Sequence, residues 1–233
     1  MERGGAAGVF RLPMLTVYAI PPSLYCAKLR IVLRAKGLEW REIPPPGGYG
    51  SDTYKALVPT GNLPALADGD LLIADSEAIA EYLEERYREP PLLPPDTALR
   101  AKMRERGRFH DTRLEPALRT LFATIAPQRR DPAFTARQSA EMTTRLQQLA
   151  RMLERDPELA FGLGDCGFPI TFAWIDALRP VLGLDVSFPD SVRTYRARIE
   201  AHPPVAAELA SYRSVLDAWV ARTVGAPEEG ADT

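Results

Sequence analysis

Three short stretches carry residue types suited to holding a sulfur or a small charged ligand. In Pro21-Pro22-Ser23-Leu-Tyr-Cys26, a hydroxyl and a thiol stand one helical turn apart, between the apolar run MLTVYAI and the amphipathic run AKLRIVLRAKG. A helix starting here would aim unpaired N–H groups and the positive end of its dipole at whatever sits in front of it, which stabilises a thiolate. Ser23 can cap that helix, or donate its hydroxyl proton to a thiolate it does not itself own. In Gly61-Asn62-Leu63-Pro64, a proline opens a strand pattern, as an edge, a turn or a cis bond allows. A cis bond would turn the Leu63 N–H and C=O outward toward an extended peptide. In Asp75-Ser76, at the start of a further helix, the carboxylate suits an ammonium, while the hydroxyl and helix N–H groups suit a carboxylate. Either residue also serves as a plain cap.

The elements that must position these stretches follow from periodicity. LTVYAI reads as a strand, and Leu29, Val32 and Leu33 mark one face of a helix stopped by Gly37. LEWREI is a second strand, PPPGGYGS a loop, and SDTYKALV a short helix begun by Ser51 or Asp52. PALADGDLLIAD is a hairpin around Asp68-Gly69-Asp70, and SEAIAEYLEERY a helix with Ile79, Tyr82 and Leu83 on one face. The order β-α-β-α-β-β-α is that of a thioredoxin-like domain over residues 14–88, after an N-terminal extension of residues 1–13.

Residues 89–96 form a Pro-rich linker, and residues 97–222 read as helix throughout. Leu114, Leu118, Leu121, Phe122 and Ile125 make one stripe, with Pro116 inside it predicting a kink. Met142, Leu146, Leu149 and Leu153 make another. Helices near 170–180, 189–201 and 203–221 follow, the last expected to break or bend at Ser211, and residues 223–233 read as a tail. The fold class is therefore α/β followed by all-α.

Composition narrows the function classes. With 233 residues, 45% hydrophobic and 26% charged, the chain can bury a sizeable core. A net charge of −2 offers no electrostatic footprint for nucleic acid or an anionic membrane. Cys26 and Cys166 form no CxxC, and with His110 and His202 as the two histidines no metal-ligand cluster is visible. The N-terminus lacks the apolar run of a signal peptide, and no segment has membrane-spanning length. These features predict a cytoplasmic protein with no metal, nucleic-acid or membrane partner.

Taken together, YAIPPSLYCAKLRIVLRAKGL, VPTGNLPAL and ADSEAIAEYL resemble the glutathione-binding domain of the soluble glutathione transferases. The linker and helical remainder match that family's second domain, so the resemblance spans roughly residues 14–222. It implies glutathione as cosubstrate, a small electrophilic acceptor and a homodimer. In members resembling the zeta, tau and theta classes, the serine seven positions before the first helix's arginine activates the glutathione thiol, and counting back from Arg30 reaches Ser23. Tyr18 ends the first strand, as does the catalytic tyrosine of the alpha, mu and pi classes. Cys26 would be the surviving member of a dithiol motif like that of glutaredoxin-like and omega members. By the same likeness Leu63, before a cis Pro64, pairs with the cysteinyl part of glutathione, Asn62 lies near the ligand, and Asp75 and Ser76 hold its γ-glutamyl end.

The acceptor is expected between the domains, against Pro21, Pro22 and the helix face at Phe109, Thr112 and Arg113. The family opens a helix of its second domain with Ser/Thr-x-x-Asp, a capping box. Here Thr171 keeps the cap, but Trp174 stands in place of the aspartate. The implied activity is transfer of the glutathione thiolate to a small electrophile. A glutathione-dependent isomerase, dehalogenase or thiol reductase would use the same site, and a non-catalytic binding or scaffold protein could share the fold.

Overall fold

The computed structural model describes residues 14–157 and 159–225. Four short strands form one mixed sheet in the order β2-β1-β3-β4: β1 (Leu15–Tyr18), β2 (Trp40–Ile43), β3 (Ala65–Asp68) and β4 (Leu71–Ala74). β1 runs parallel to β2 and antiparallel to β3, and β3 pairs antiparallel with β4. Register assigns the two faces. Val17, Leu66 and Ile73 share a rung and pack toward α1 (Leu24–Ala35) and α3 (Ser76–Arg86). Tyr18, Ala65 and Ala74 share the next rung and pack toward α2 (Asp52–Lys55) on the opposite face. Adjacent strand residues point to opposite faces, so one β-hairpin supplies both layers.

The helix limits obey local chemistry. Ser23, Ser51 and Asp75 cap α1, α2 and α3 with side-chain oxygens, as their residue types favour. Gly37, at φ 64°, ends the α1 segment in a conformation that glycine adopts without a Cβ penalty. The linker is strapped to the first domain. Buried Glu84 accepts the Leu92 and Leu93 N–H groups at 3.0 and 2.9 Å, and buried Lys36 donates to Glu84 at 2.6 Å and to the Pro90 carbonyl at 2.8 Å.

The second domain is helical: α4 (Thr97–Phe109), α5 (Glu115–Arg119), α6 (Pro132–Arg155), α7 (Phe168–Leu182), α8 (Asp190–Glu200) and α9 (Pro203–Gly225), with short 3-10 turns between. Leu114, Leu118, Leu121 and Ile125 are fully buried, as are Met142, Leu146 and Leu149. α4 lies so close to the segment before α7 that a side chain on Gly164 or Gly167 would collide with the Met103 carbonyl or the His110 ring.

Several expectations are corrected. Pro116 does not simply kink a long helix. A π-turn over His110–Leu114 absorbs one extra residue between α4 and α5, and a 3-10 turn follows at Thr120–Thr124. No break occurs at Ser211: its hydroxyl bonds the Glu208 carbonyl at 3.1 Å within a continuous helix. That helix runs to Gly225, three residues into the stretch expected as a tail. Thr171 is not a cap, because α7 begins at Phe168 and the Thr171 N–H bonds the Gly167 carbonyl from inside the helix. The expected extension of residues 1–13 and the rest of the C-terminal tail, 226–233, lie outside the described residues.

Candidate functional site

A cavity of about 750 Å³ opens between the two domains, where the C-terminal end of β1, the N-terminus of α1 and the entry to α3 face α4, α7 and α9. Its lining brings Ser23, Asn62, Leu63, Asp75 and Ser76 together from three separate loops.

At the α1 end, the Ser23 hydroxyl oxygen accepts the Cys26 N–H at 3.3 Å. Capping therefore coexists with the other role read from the sequence. Accepting uses a lone pair and does not consume the hydroxyl proton, which an incoming acceptor in the cavity can still take. Cys26 is 1% exposed in the core, and burial pushes its thiol above the ordinary range although the nearby Ser23 hydroxyl opposes the rise. Tyr18 is not in the cavity lining. It lies on the α2 face with its ring 5.8 Å from that of Tyr54, an outcome fixed by its strand register. The serine is thus the one of the three candidate thiol-activating groups that faces the cavity.

At the hairpin, the Leu63–Pro64 peptide is cis. The preceding loop is held by the Tyr54 hydroxyl, which donates to the Asn62 carbonyl at 2.9 Å. Among the described residues, neither the N–H nor the carbonyl of Leu63 bonds elsewhere in the chain, so both remain for an extended ligand.

At α3, Asp75 Oδ1 accepts from the Glu77 and Ala78 N–H groups at 2.9 and 3.1 Å, while Oδ2 makes no such bond. The Ser76 N–H is not among those capped. Asp75 also sits at φ 80°, unlike every other described non-glycine residue. Such backbone strain costs on the order of 1 kcal/mol and concentrates at ligand clamps.

Beneath this end lies a buried charge chain. Lys28, 2% exposed, donates to Glu77 at 2.6 Å and to Asp111 at 2.7 Å. Asp111 Oδ1 meets His110 Nδ1 at 2.7 Å, and His110 Nε2 meets the Thr171 hydroxyl at 2.8 Å. Burial would raise the Asp111 carboxyl, but the His110 hydrogen bond and the Lys28 charge overcome it and bring it down to about 2. Burial would likewise discharge Lys28, and its two carboxylates outweigh that and hold it above the ordinary range.

The acceptor side differs from expectation. Pro22 and Thr112 line the cavity, but Pro21, Phe109 and Arg113 do not. The Phe109 ring packs on the core, which turns the face carrying Arg108, Asp111 and Thr112 toward the cavity. Arg108 has no ion-pair partner among the described residues. The far wall is aromatic: Tyr25, Phe122, Trp174 and Trp219. Phe122 stacks on Trp174 at 4.3 Å, and Trp219 meets Trp174 edge-on at 5.3 Å. The Arg119 guanidinium lies 5.3 Å from both the Tyr25 and Phe122 rings and pairs with Glu115. Sequence reasoning missed this wall. Its one visible signal was Trp174, standing where a capping aspartate was expected.

Comparison with known proteins agrees with this arrangement. Residues 17–91 match the family model described as glutathione S-transferase, N-terminal domain. The chain is 43% identical over 90 residues to glutathione S-transferase Z1 of Arabidopsis thaliana, covering 37% of this chain and 41% of that protein. It is 38% identical over 92 residues to a stringent starvation protein A homolog of Pasteurella multocida, covering 39% and 43%. The matched stretch thus spans about two fifths of these curated relatives. A theta class glutathione S-transferase of Xanthomonas axonopodis pv. citri, solved with glutathione bound, superposes with TM-score 0.69 at 23% identity, over 86% of this chain and 99% of that one. Residues 17–91 thus match a glutathione S-transferase N-terminal domain, and the sheet and helical second domain together share the fold of the solved glutathione S-transferases.

Proposed function

We propose that the chain is a glutathione transferase that ionises the glutathione thiol beside Ser23 and passes the thiolate to a small electrophile. The observation that carries this reading is the meeting of Ser23, Asn62, Leu63, Asp75 and Ser76 in one cavity. Asp75 Oδ2 suits the γ-glutamyl ammonium, and the Ser76 N–H and hydroxyl suit the neighbouring carboxylate. Leu63 offers a strand-like pair of bonds to the cysteinyl unit. The thiol proton leaves to water, and the Ser23 hydroxyl donates to the sulfur anion at the N-terminus of α1. The sulfur then bonds to the acceptor carbon as the leaving group departs with its electron pair. In an isomerisation the sulfur would add and later leave. The aromatic wall favours a flat apolar acceptor, and Arg108 and Arg119 favour one with an anionic group.

Ser23 in place of a thiol, with Cys26 buried, argues against a thiol reductase or dithiol exchange at this site. We further propose a cytoplasmic location and a homodimer, the dimer supported by the exposed Leu71 and Leu72 on the edge strand β4. Calorimetric titration with glutathione and an assay with a generic aryl halide test the main reading. One binding site with turnover supports it. A folded chain showing neither would overturn it. Glutathione binding without turnover would favour a non-catalytic binding protein on this fold. That second reading draws on the likeness to a stringent starvation protein A homolog, whose name carries no transferase activity.

A further inference from the structure

The carbonyls of the Ile20–Ser23 loop are all held. The Ile20 carbonyl accepts the Ser23 N–H at 3.2 Å, and the Ser23 carbonyl accepts the Ala27 N–H at 3.0 Å. The Pro21 carbonyl accepts from Arg30 at 3.4 Å, and the Pro22 carbonyl accepts the Tyr212 hydroxyl at 2.9 Å. Prolines have no N–H, so these carbonyls are the only main-chain handles on residues 21 and 22. Three of the four bonds come from the loop and α1. The fourth comes from α9.

Tyr212 is itself oriented. Its oxygen accepts the Trp174 indole N–H at 2.8 Å, which leaves its own proton for the Pro22 carbonyl. Both side chains are 2% exposed, and burial holds the phenol far above the ordinary tyrosine range, so that proton stays in place. The charged groups nearby, Arg30 and Glu208, are paired with each other, and Arg30 is paired also with Glu42. Trp174 is at the same time the centre of the aromatic wall. Two hydrogen bonds in series therefore join the acceptor wall to the peptide that precedes Ser23, and bonds in series reinforce one another.

We propose that Tyr212 and Trp174 are positioning residues. Through the Pro22 carbonyl, they hold the Ser23 hydroxyl where it meets the glutathione sulfur. This rests on reading Ser23 as the thiol-activating group, but the hydrogen-bonded link can be tested without that reading.

Tyr212→Phe keeps the ring and removes both bonds. In the full chain, the Ser23–Cys26 amides should exchange with solvent about fivefold faster. The kcat/KM should fall about tenfold, the KM for glutathione should hold, and the pH profile of thiol ionisation should move to higher pH. Trp174→Phe should shift both readouts the same way by less, since the Tyr212–Pro22 bond survives, and it decides the matter if Tyr212→Phe does not fold. Leu216→Ala, which removes a buried neighbour on α9, should lower Tm and move neither readout below that Tm. Wild-type amide exchange and pH profile in the folded variants, or equal shifts from Leu216→Ala, would overturn the proposal. A wild-type chain with no glutathione turnover would overturn the functional reading alone, and amide exchange would still decide the link.

Discussion

The two ends of the cavity are built by different means. The sulfur end is made of helix caps, a cis peptide and main-chain groups, all supplied by residues 20–26, 61–64 and 75–78. The acceptor end is made of large side chains from positions 119, 122, 174 and 219, which meet because three helices pack together. The first needs short stretches of particular residue types. The second needs only a packed aromatic surface, which many sequences can provide. On the proposed function, such a division of labour suits a common cosubstrate at one end and a variable acceptor at the other.

The comparison predicts where substitutions hurt. The largest effect is expected beneath the sulfur end. Lys28→Met leaves Glu77 and Asp111 without their shared cation in a buried setting and should cost about 3–5 kcal/mol of stability in denaturant unfolding. A loss below 1 kcal/mol would show that the charge chain is solvated.

Next comes the serine. Ser23→Ala and Ser23→Asp should each lower kcat/KM roughly 10²-fold, because neither can donate to a thiolate. Only the alanine should also lose about 1 kcal/mol of stability, since aspartate still caps the helix. Full turnover in either variant would refute the serine-type assignment.

Acid should act at the junction of the two ends. Asp111 titrates at about 2 in the fold against an ordinary value of 3.8. Its folded pKa is the lower, so its contribution is complete above about pH 4 and is lost as pH falls toward about 2. The contribution is on the order of 2 kcal/mol, and Asp111→Asn should flatten the stability curve in that window. Smallest is Trp219→Ala, which should raise the acceptor KM about tenfold and leave the glutathione KM unchanged. Equal changes in both would erase the distinction between the ends.

The same division explains what the sequence disclosed. Ser23, Asn62, Leu63, Asp75 and Ser76 were legible because caps and turn prolines are set by neighbours in the chain, and strand and helix periods located the sheet around them. Tyr18 and Cys26 could be sorted from Ser23 only by strand register and by which side of α1 faces the core. The helix face at Phe109 and Arg113 was misread. Leu114 and Leu118 marked the core correctly, but nothing local announced the π-turn at His110–Leu114 or the burial of the Phe109 ring. Lys28, Glu77, Asp111 and His110 are ordinary helix-surface residue types when read singly. Their chain exists because α1, α3 and α4 converge.

The Pro22 carbonyl and the Tyr212 hydroxyl are 190 positions apart. During synthesis the residues proposed to grip glutathione emerge early, yet the loop beside them gains its last main-chain partner only when the final helix docks. A chain cut short before Tyr212 would carry every cavity-lining residue of the first domain and still lack the fourth of the loop's carbonyl bonds. On the positioning role proposed for Tyr212, sulfur activation would then report that translation had reached the last helix.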